Sequence, residues 1–486
     1  MDGLDRREPL ASRSGREVLA PQGRALLLVF EALERAAVCY CVTHGYEDYP
    51  HCVGASDVDI LVSPEWRPSE LAALISAAVR PAGGELAGWW DGYMVLAGRC
   101  PGSAPWFLAL DFRTAYALGH LCFYTAEEVL GGRRRCKAFW IPAPDIEFAC
   151  RLVRRIAKRD LDAAQAARLS LLYRHDPAGC RRQLARFWRP RPAALIESAA
   201  GEGRWEMAIC SLAALRGEAR RRAFMQRPVR AIAGMLRRMR RRAQLLWSPE
   251  GGLSLVLLGP DGAGKSSLAN ALTAQLRPAF SASRRASFPP ALLRRLHRAR
   301  ESAAPRPPHE LAPRSPPMSA VRAVCYWSVH HLFFLRISAR LQAARSVLTV
   351  HDRHLVDALV DPWRYRYGGA MRLLRAICRL GPRPDLVILL DAPAEVLQSR
   401  KQEVPFAETA RQCEAYRALV GAMKNGHIVD AGRPLEDVAA AVGDIVLRTL
   451  SARIAARLAR RQRAPRHSAA ALAAAQPSAP ISTAEP

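Results

Sequence analysis

The sequence predicts an α/β fold: a carboxyl-terminal parallel sheet flanked by helices, preceded by an α+β domain with an appended helical region. From 253 to about 450, apolar strand-like runs alternate with helix-like segments, which is typical of a doubly wound sheet. Helix-like and strand-like segments also alternate up to about 115, and a mostly helical stretch then runs to about 248. The predicted parts are a flexible amino terminus (1–22), an α+β domain (23–118), a helical region ending in a basic connector helix (119–248), an α/β domain (251–455) and a disordered tail (463–486).

The formal net charge of +28 comes almost entirely from arginine, since only five of the 72 basic residues are lysines. Some of the arginines are concentrated, most of all between 220 and 246. We favour solvated helix faces over contacts with nucleic acid or an anionic membrane, although both contacts stay open as hypotheses. The oligomeric state also stays open, with a homodimer as one alternative.

The twelve cysteines contain no CxxC pair, and no charged segment followed by an apolar one opens the chain. These observations predict a cytoplasmic protein with reduced thiols. The cluster of Cys39, Cys41, His44, His51 and Cys52 has a spacing that fits no common zinc pattern. We therefore do not expect a zinc site there.

The strongest local signal is the phrase LSLVLLGPDGAGKSSL at 253–268. Leu253 to Leu258 reads as a buried strand and Ser266 to Leu276 as a helix, with a glycine-rich loop of the form GxxxxGK[ST] between them. Glycines let backbone N–H groups wrap phosphates at a helix amino terminus. The sequence predicts binding of ATP by Gly259, Asp261, Gly262, Ala263, Gly264, Lys265, Ser266 and Ser267.

Three later phrases accompany this loop: the pair Asp352–Arg353 after a strand-like run, PDLVILLDAPAEVLQSRK at 384–401, and IVDAGRPLEDVAAAV at 428–442. Together with the loop they resemble the thymidylate-kinase-like branch of P-loop nucleotide kinases, over residues 253 to about 450. The resemblance implies a P-loop parallel sheet flanked by helices. It also implies a transferase that moves the γ-phosphoryl group of ATP, with Mg²⁺, to a nucleoside monophosphate or a related phosphorylated acceptor.

The resemblance also implies roles for single residues. Lys265 would reach the β and γ oxygens, and the Ser266 hydroxyl would ligate Mg²⁺. Asp352 would support Mg²⁺ or the acceptor, and Arg353 would hold the acceptor phosphate, since a guanidinium matches phosphate oxygens. Arg400 would belong to a mobile lid that closes on ATP, together with the two further cations Lys401 and Arg411. The alternative is a solvated helix end whose cations offset the helix dipole.

The sequence defines the acceptor of the phosphoryl group less clearly than the donor, ATP. Asp261 lies where related kinases carry an acidic residue that meets the acceptor, but it equally suits a simple turn. Arg364 and Arg366 lie among aromatic residues and are either acceptor-phosphate ligands or structural. This stretch is similar to a divergent bacterial subgroup associated with surface-polysaccharide gene neighbourhoods. The segment 284–317, rich in proline and arginine, is predicted to be a long loop.

The amino-terminal half contains a second set of candidate functional residues, three aspartates. Asp57 and Asp59 alternate with apolar residues and would project from one face of a strand, and Asp111 lies in a second strand-like run. The order of Gly45, Asp-x-Asp and a later acid resembles the nucleotidyltransferase superfamily. The resemblance implies a divalent-metal site at Asp57, Asp59 and Asp111. Tyr46 replaces the usual small residue after Gly45, so a working site, a degenerate binding module and purely structural carboxylates all stay open.

Two further hypotheses about function therefore stand beside the kinase hypothesis. In one, the amino-terminal domain transfers a nucleotidyl group to a sugar or small acceptor. In the other, the protein is a nucleotide-gated binding protein whose basic helices dock on nucleic acid or membrane.

Overall fold

The computed structural model describes residues 19–54, 56–90, 92–99, 104–247, 251–286, 312–327, 346–380 and 383–461. The predicted tail at 463–486, most of the predicted amino-terminal flexible segment and most of the predicted loop at 284–317 lie outside these residues. The first helix begins at Pro21, two residues earlier than the predicted domain boundary.

The amino-terminal half contains a mixed five-stranded sheet in the order β1-β2-β5-β4-β3. Only β2 and β5 pair in parallel within this sheet. Helices α1 (Pro21–Arg35) and α2 (Pro68–Val79) cover one face because their buried leucines and alanines pack on the apolar strand residues. The strands are β1 (Tyr40–Val42), β2 (Val58–Val62), β3 (Gly84–Trp90), β4 (Tyr93–Gly98) and β5 (Trp106–Arg113).

Two short hairpins and a helical layer follow. The hairpins are β6 (Ala115–Leu118) with β7 (Leu121–Thr125), and β8 (Arg134–Cys136) with β9 (Phe139–Ile141). A single core joins most of the helices to the outer face of the sheet through residues such as Leu61, Phe148 and Leu169. The helices are α3 (Ala126–Leu130), α4 (Pro144–Lys158), α5 (Ala163–His175), α6 (Pro177–Phe187), α7 (Pro190–Glu202), α8 (Glu206–Cys210), α9 (Leu212–Gln226) and α10 (Pro228–Trp247).

The carboxyl-terminal half contains a five-stranded sheet in the order β11-β12-β10-β13-β14, in which all neighbours are parallel. Leu255 and Leu257 face one helical layer, and Val256 and Leu258 face the other. The strands are β10 (Leu253–Leu258), β11 (Ala282–Ala286), β12 (Val347–His351), β13 (Leu386–Asp391) and β14 (Gly426–Asp430), and the helices are α11 (Lys265–Gln275), α12 (Pro316–Trp327), α13 (Met371–Leu380), α14 (Ala394–Arg400), α15 (Phe406–Gly421) and α16 (Leu435–Arg461).

These elements confirm the α/β fold, with parallel strands flanked by helices. Strands β7, β8 and β9 lie in the stretch 119–248 that was predicted to be mostly helical. Strand β11 overlaps the start of the segment expected to be a loop, and its arginine-rich, largely exposed sequence gave no apolar signal. Asp57 precedes β2 instead of lying within it. No helix in the described ranges is long and apolar enough to cross a membrane.

Helix α16 connects the two halves and continues six residues beyond the predicted boundary at 455. Its Val442 and Val446 pack on the carboxyl-terminal sheet, whereas Ile454 and Leu458 belong to the core of the amino-terminal half. The Arg457 guanidinium also donates to the backbone carbonyl of Trp89, at 3.4 Å. The last helix therefore buries apolar residues against both sheets.

Candidate functional site

The glycine-rich loop joins the carboxyl end of β10 to the start of α11. Its three glycines all have positive φ angles: +143° at Gly259, +87° at Gly262 and +81° at Gly264. A Cβ at Gly259 would lie 2.7 Å from the Leu390 carbonyl oxygen of the neighbouring β13. Only glycine combines this backbone conformation with such a close approach. The sequence therefore forms a tight turn at the edge of the sheet where open α/β folds bind ligands.

Lys265 is folded back into this loop. Its Nζ donates hydrogen bonds to the carbonyl oxygens of Gly259, at 2.6 Å, and Pro260, at 2.8 Å. Burial lowers the pKa of Lys265, and the carboxylates of Asp261 and Asp357 oppose that effect. No described residue accepts a hydrogen bond from the backbone N–H of Gly264, Lys265 or Ser266. Backbone donors at a helix amino terminus, together with a lysine, suit a phosphate group.

Ser266 and Asp352 are brought together by Arg285, which lies on β11. The Arg285 Nη2 donates to the Ser266 Oγ at 2.6 Å, and its Nε donates to the Asp352 Oδ2 at 3.0 Å. Asp352 is only 8% exposed, and among the described residues its Oδ1 has no hydrogen-bond partner. The Arg285 guanidinium thus contacts both the Ser266 hydroxyl and the Asp352 carboxylate. A hydroxyl and a buried carboxylate with a spare oxygen fit Mg²⁺ when nucleotide phosphates supply the other ligands.

Asp261 belongs to a chain of ion pairs that ties the loop to the segment after α14. It contacts Arg364, whose guanidinium also lies 3.6 Å from Glu403, and Glu403 is 2.5 Å from the Lys401 Nζ. Burial disfavours ionisation of Asp261, but Glu403, Lys265 and Arg364 outweigh it and hold its pKa well below the usual value. Asp261 is therefore a charged partner of Arg364 in this arrangement.

Arg353 lines the cleft beside the loop together with Lys265 and Asp357. Within the part of the chain that the structure describes, its guanidinium forms no hydrogen bond or ion pair. Asp357 is buried; it accepts hydrogen bonds from the His354 N–H and the Tyr416 hydroxyl, and burial raises its pKa. Arg353 is consequently a cation positioned to meet a ligand.

A second cavity of about 240 Å³ adjoins the cleft and shares Arg364 and Tyr365 with it. Aromatic and cationic side chains line much of this cavity, and Leu355, Leu374 and Ile377 form an apolar part. Such a mixture suits a planar or apolar group attached to an anion. The basic and aromatic lining residues are Arg314, Arg322, Arg364, Tyr365, Arg366 and Tyr367.

The predicted lid cations lie on or next to α14 and α15, and each has a protein partner. Arg400 donates to the Ala431 carbonyl oxygen at 2.9 Å, after β14. Arg411 donates to both Glu408 carboxylate oxygens and to the Val360 carbonyl oxygen. The loop nevertheless touches this region, because a Cβ at Gly262 would lie 2.8 Å from the carbonyl oxygen of Leu397 in α14.

In the amino-terminal half, the parallel pairing of β2 and β5 sets Asp59 opposite Asp111. Both carboxylates have basic partners: Asp59 lies 2.8 Å from the His44 Nε2 and 3.4 Å from an Arg154 Nη1, and Asp111 accepts from the Arg113 Nε at 2.9 Å.

Desolvation lowers the pKa of His44, which favours its neutral form. No group of three or more His, Cys, Asp or Glu side chains in the described ranges is arranged to hold a metal ion. Basic side chains contact Asp59 and Asp111, and the metal site at Asp57, Asp59 and Asp111 stays a prediction.

Tyr46, the bulky residue after Gly45, is buried and has a structural role. Its hydroxyl donates to Glu147 at 2.7 Å and accepts from Arg168 at 2.9 Å. Glu147 is fully buried and also accepts from the Arg151 Nε at 2.9 Å. Gly45 itself has φ +73°, and a Cβ added to it would have no residue other than its chain neighbours within 4 Å. The tyrosine thus belongs to an ion-pair network with the helical region.

Sequence reasoning missed Arg285, Asp357 and Glu403. Arg285 lies 67 residues from its partner Asp352, and its strand is not apolar, so periodicity gave no signal. Asp357 lies five positions after Asp352, and this short separation in sequence was the available signal.

No protein-family model matches the chain, and a search of curated proteins found no match.

Proposed function

We propose that the protein is an ATP-dependent phosphotransferase of the P-loop, thymidylate-kinase-like type. It moves the γ-phosphoryl group of ATP to a phosphorylated small molecule such as a nucleoside monophosphate. One observation carries the proposal: the glycine loop with its half-buried Lys265, the linked Ser266 and Asp352, and Arg353, which has no hydrogen-bond or ion-pair partner among the described residues, lie around one edge of a parallel sheet. Such enzymes work by positioning and charge neutralisation, which this set of groups provides.

On the donor side, the N–H groups of Gly264, Lys265 and Ser266 bind phosphate oxygens. The Lys265 amine leaves the Gly259 and Pro260 carbonyls, which are only loop acceptors, and reaches the β and γ oxygens. Ser266 and Asp352 would hold Mg²⁺, which when bound neutralises charge on those oxygens. Arg285 then releases these two groups and remains beside the phosphates as a further cation.

On the acceptor side, Arg353 holds the acceptor phosphate next to the donor. The adjoining cavity takes the remainder of the acceptor between Tyr365 and Tyr367, with its arginines countering further negative charge. A phosphate oxygen is already ionised at neutral pH, so the reaction needs no general base. Asp261 accordingly serves to hold Arg364 at the boundary of the two cavities.

The test compares full-length wild-type protein with Lys265→Ala and Ser266→Ala. Lys424→Ala is the matched control, because Lys424 is an exposed lysine on the surface. Each protein is incubated with ATP, Mg²⁺ and a panel of nucleoside monophosphates and sugar phosphates, and products are identified by mass spectrometry. We expect transfer by the wild type and the control, a loss of about 100-fold or more in Lys265→Ala, and a loss that added Mg²⁺ partly restores in Ser266→Ala.

Wild-type-like transfer by folded Lys265→Ala protein would refute the proposal. Circular dichroism of each variant separates a loss of chemistry from a loss of fold.

The amino-terminal half supports a nucleotidyltransferase-like frame through the parallel β2–β5 pair that aligns Asp59 with Asp111. We propose that these carboxylates are structural, because Arg154 and Arg113 neutralise them and His44 lies against Asp59. Incubation with nucleotides labelled at the α-phosphate distinguishes the hypotheses, since only nucleotidyl transfer leaves that label on the acceptor. Label on a sugar or small acceptor would restore the nucleotidyltransferase hypothesis.

A further inference from the structure

Helix α10 packs on the amino-terminal half through a narrow side only. Ala231 is buried at 2% exposure, and a Cβ at Gly234 would lie 3.0 Å from the His120 carbonyl oxygen. Positions 231, 234 and 238 lie on one side of a helix with 3.6 residues per turn. Over residues 228–240, most of the helix circumference is therefore outside the core of the described residues.

The exposed part includes a contiguous apolar face. Positions 229, 232, 236 and 239 follow the i, i+3, i+4 and i+7 pattern approximately, with 235 beside them. Each of these side chains is more than half exposed. Their exposed fractions are 78% for Val229, 53% for Ile232, 54% for Met235, 60% for Leu236 and 58% for Met239. An apolar face of this kind marks an interaction site.

Arginines flank this apolar face. The helix carries six of them and no acidic residue, and Arg230, Arg237 and Arg240 are exposed on the adjoining side. The preceding helix α9 adds the exposed apolar residues Phe224 and Met225 close to its end. The surface thus combines strong positive charge with apolar side chains that project beyond the protein.

Helix α13 provides an internal comparison. It is also basic and amphipathic, with exposed Arg372 and Arg375, but its apolar residues Leu374 and Ile377 are buried in the protein, and the strongly exposed Leu380 is its last residue. In α13 packing therefore explains the apolar face ahead of that last residue. In α10 the described residues do not cover the apolar face, so internal packing does not explain it.

We propose that α10 lies in the interface of an anionic lipid membrane, parallel to the bilayer surface. Its apolar face enters the acyl-chain boundary, and its arginines contact anionic headgroups. A second copy of this chain would oppose arginine to arginine across the same face, which is unfavourable. Nucleic acid would bind the arginines but would leave Ile232, Leu236 and Met239 in water. Of these three occupants, the anionic bilayer is the one that matches both the charge and the apolar side chains.

Membrane binding would hold the candidate phosphotransferase half close to the bilayer, because β10 begins at Leu253, shortly after α10 ends at Trp247. The inference does not depend on the proposed kinase activity, since it rests on α10 alone.

The test is co-sedimentation of the full-length protein with vesicles of phosphatidylcholine alone and of phosphatidylcholine mixed with phosphatidylglycerol, at low and physiological salt. We expect binding to the anionic vesicles only, weakened by salt. Arg237→Gln combined with Arg240→Gln lowers the partition coefficient about 30-fold, at about 1 kcal/mol for each arginine. Leu236→Glu lowers it about 10-fold or more because a leucine leaves the acyl region.

The matched control for charge is Arg372→Gln combined with Arg375→Gln in α13, which removes the same net charge and should bind like the wild type. Equal weakening by both double variants would overturn the proposal, since binding would then depend on net charge alone. Leu236→Glu protein that binds normally would also overturn it. So would a dimer that Leu236→Glu dissociates, or binding to a DNA duplex that exceeds binding to the anionic vesicles.

Discussion

The contact between the glycine loop and α14 predicts different costs for two alanine substitutions. Gly262 and Gly264 have nearly equal positive φ angles, +87° and +81°. A Cβ at Gly262 would lie 2.8 Å from the Leu397 carbonyl oxygen, whereas a Cβ at Gly264 would have nothing within 4 Å. The two substitutions therefore share the same backbone strain and differ in one steric contact.

Left-handed backbone costs a residue with a side chain about 1–2 kcal/mol. That is the whole expected loss in free energy of unfolding for Gly264→Ala. Gly262→Ala carries the same strain and must also displace the end of α14, which adds about 1–3 kcal/mol on the scale of overpacked sites. Gly262→Ala should therefore be the less stable variant by about 1–3 kcal/mol.

Urea unfolding, with the carboxyl-terminal half followed by hydrogen exchange of the β10 and β13 amides, measures this difference. Exchange in α14 adds a second readout, because only Gly262→Ala should lower protection there. Equal stability of the two variants, with unchanged protection in α14, would refute the inferred contact between the loop and this helix.

The remaining predictions concern ion pairs in the amino-terminal half. Burial opposes ionisation of Glu128, but hydrogen bonds from Arg227, Thr125 and Arg186 lower its pKa to about 2. This lowered pKa stabilises the fold fully above the ordinary value of 4.5, and the stabilisation, about 1 kcal/mol after solvent screening, is lost as pH falls from 4.5 towards 2. Unfolding titrations of wild type and Glu128→Gln should converge over that range, and a constant difference would contradict the assignment. Asp59→Asn should lower the free energy of unfolding by about 3–5 kcal/mol, because it leaves Arg154 without its carboxylate partner. Thermal unfolding measures this loss. ATP turnover should not change, and lost turnover would argue against a structural role for Asp59.

The strands of the carboxyl-terminal sheet illustrate what periodicity can predict. The apolar runs predict strands at Leu253–Leu258, Ser346–Val350, Leu386–Leu390 and His427–Val429, and β10, β12, β13 and β14 lie within one residue of these bounds. The first three are buried parallel strands, which are continuous apolar runs. β11 was missed because it carries two arginines and no large apolar residue. β14 is also a partly exposed edge strand, but its apolar Ile428 and Val429 gave a signal. An apolar strand therefore leaves a sequence signal, and an arginine-rich edge strand leaves almost none.

In the candidate site, too, features that are local in sequence were predicted and contacts between distant residues were not. The strand before the glycine loop and the helix after it are confirmed, because turn glycines and the flanking apolar patterns are local in sequence. The link from Ser266 through Arg285 to Asp352, and the ion pair of Asp261 with Arg364, join residues that are distant along the chain. No spacing rule connects such residues, so only the fold reveals them. The arginines that neutralise Asp59 and Asp111 were missed for the same reason.

The proposed function depends on binding of the ATP phosphates by the loop around Lys265. Calorimetric titration of ATP with Mg²⁺ into the full-length protein measures this binding. We expect uptake of one nucleotide by the wild type and by Lys424→Ala, and loss of that uptake in Lys265→Ala protein that keeps its fold. Well-folded wild-type protein that takes up no adenine nucleotide would contradict it.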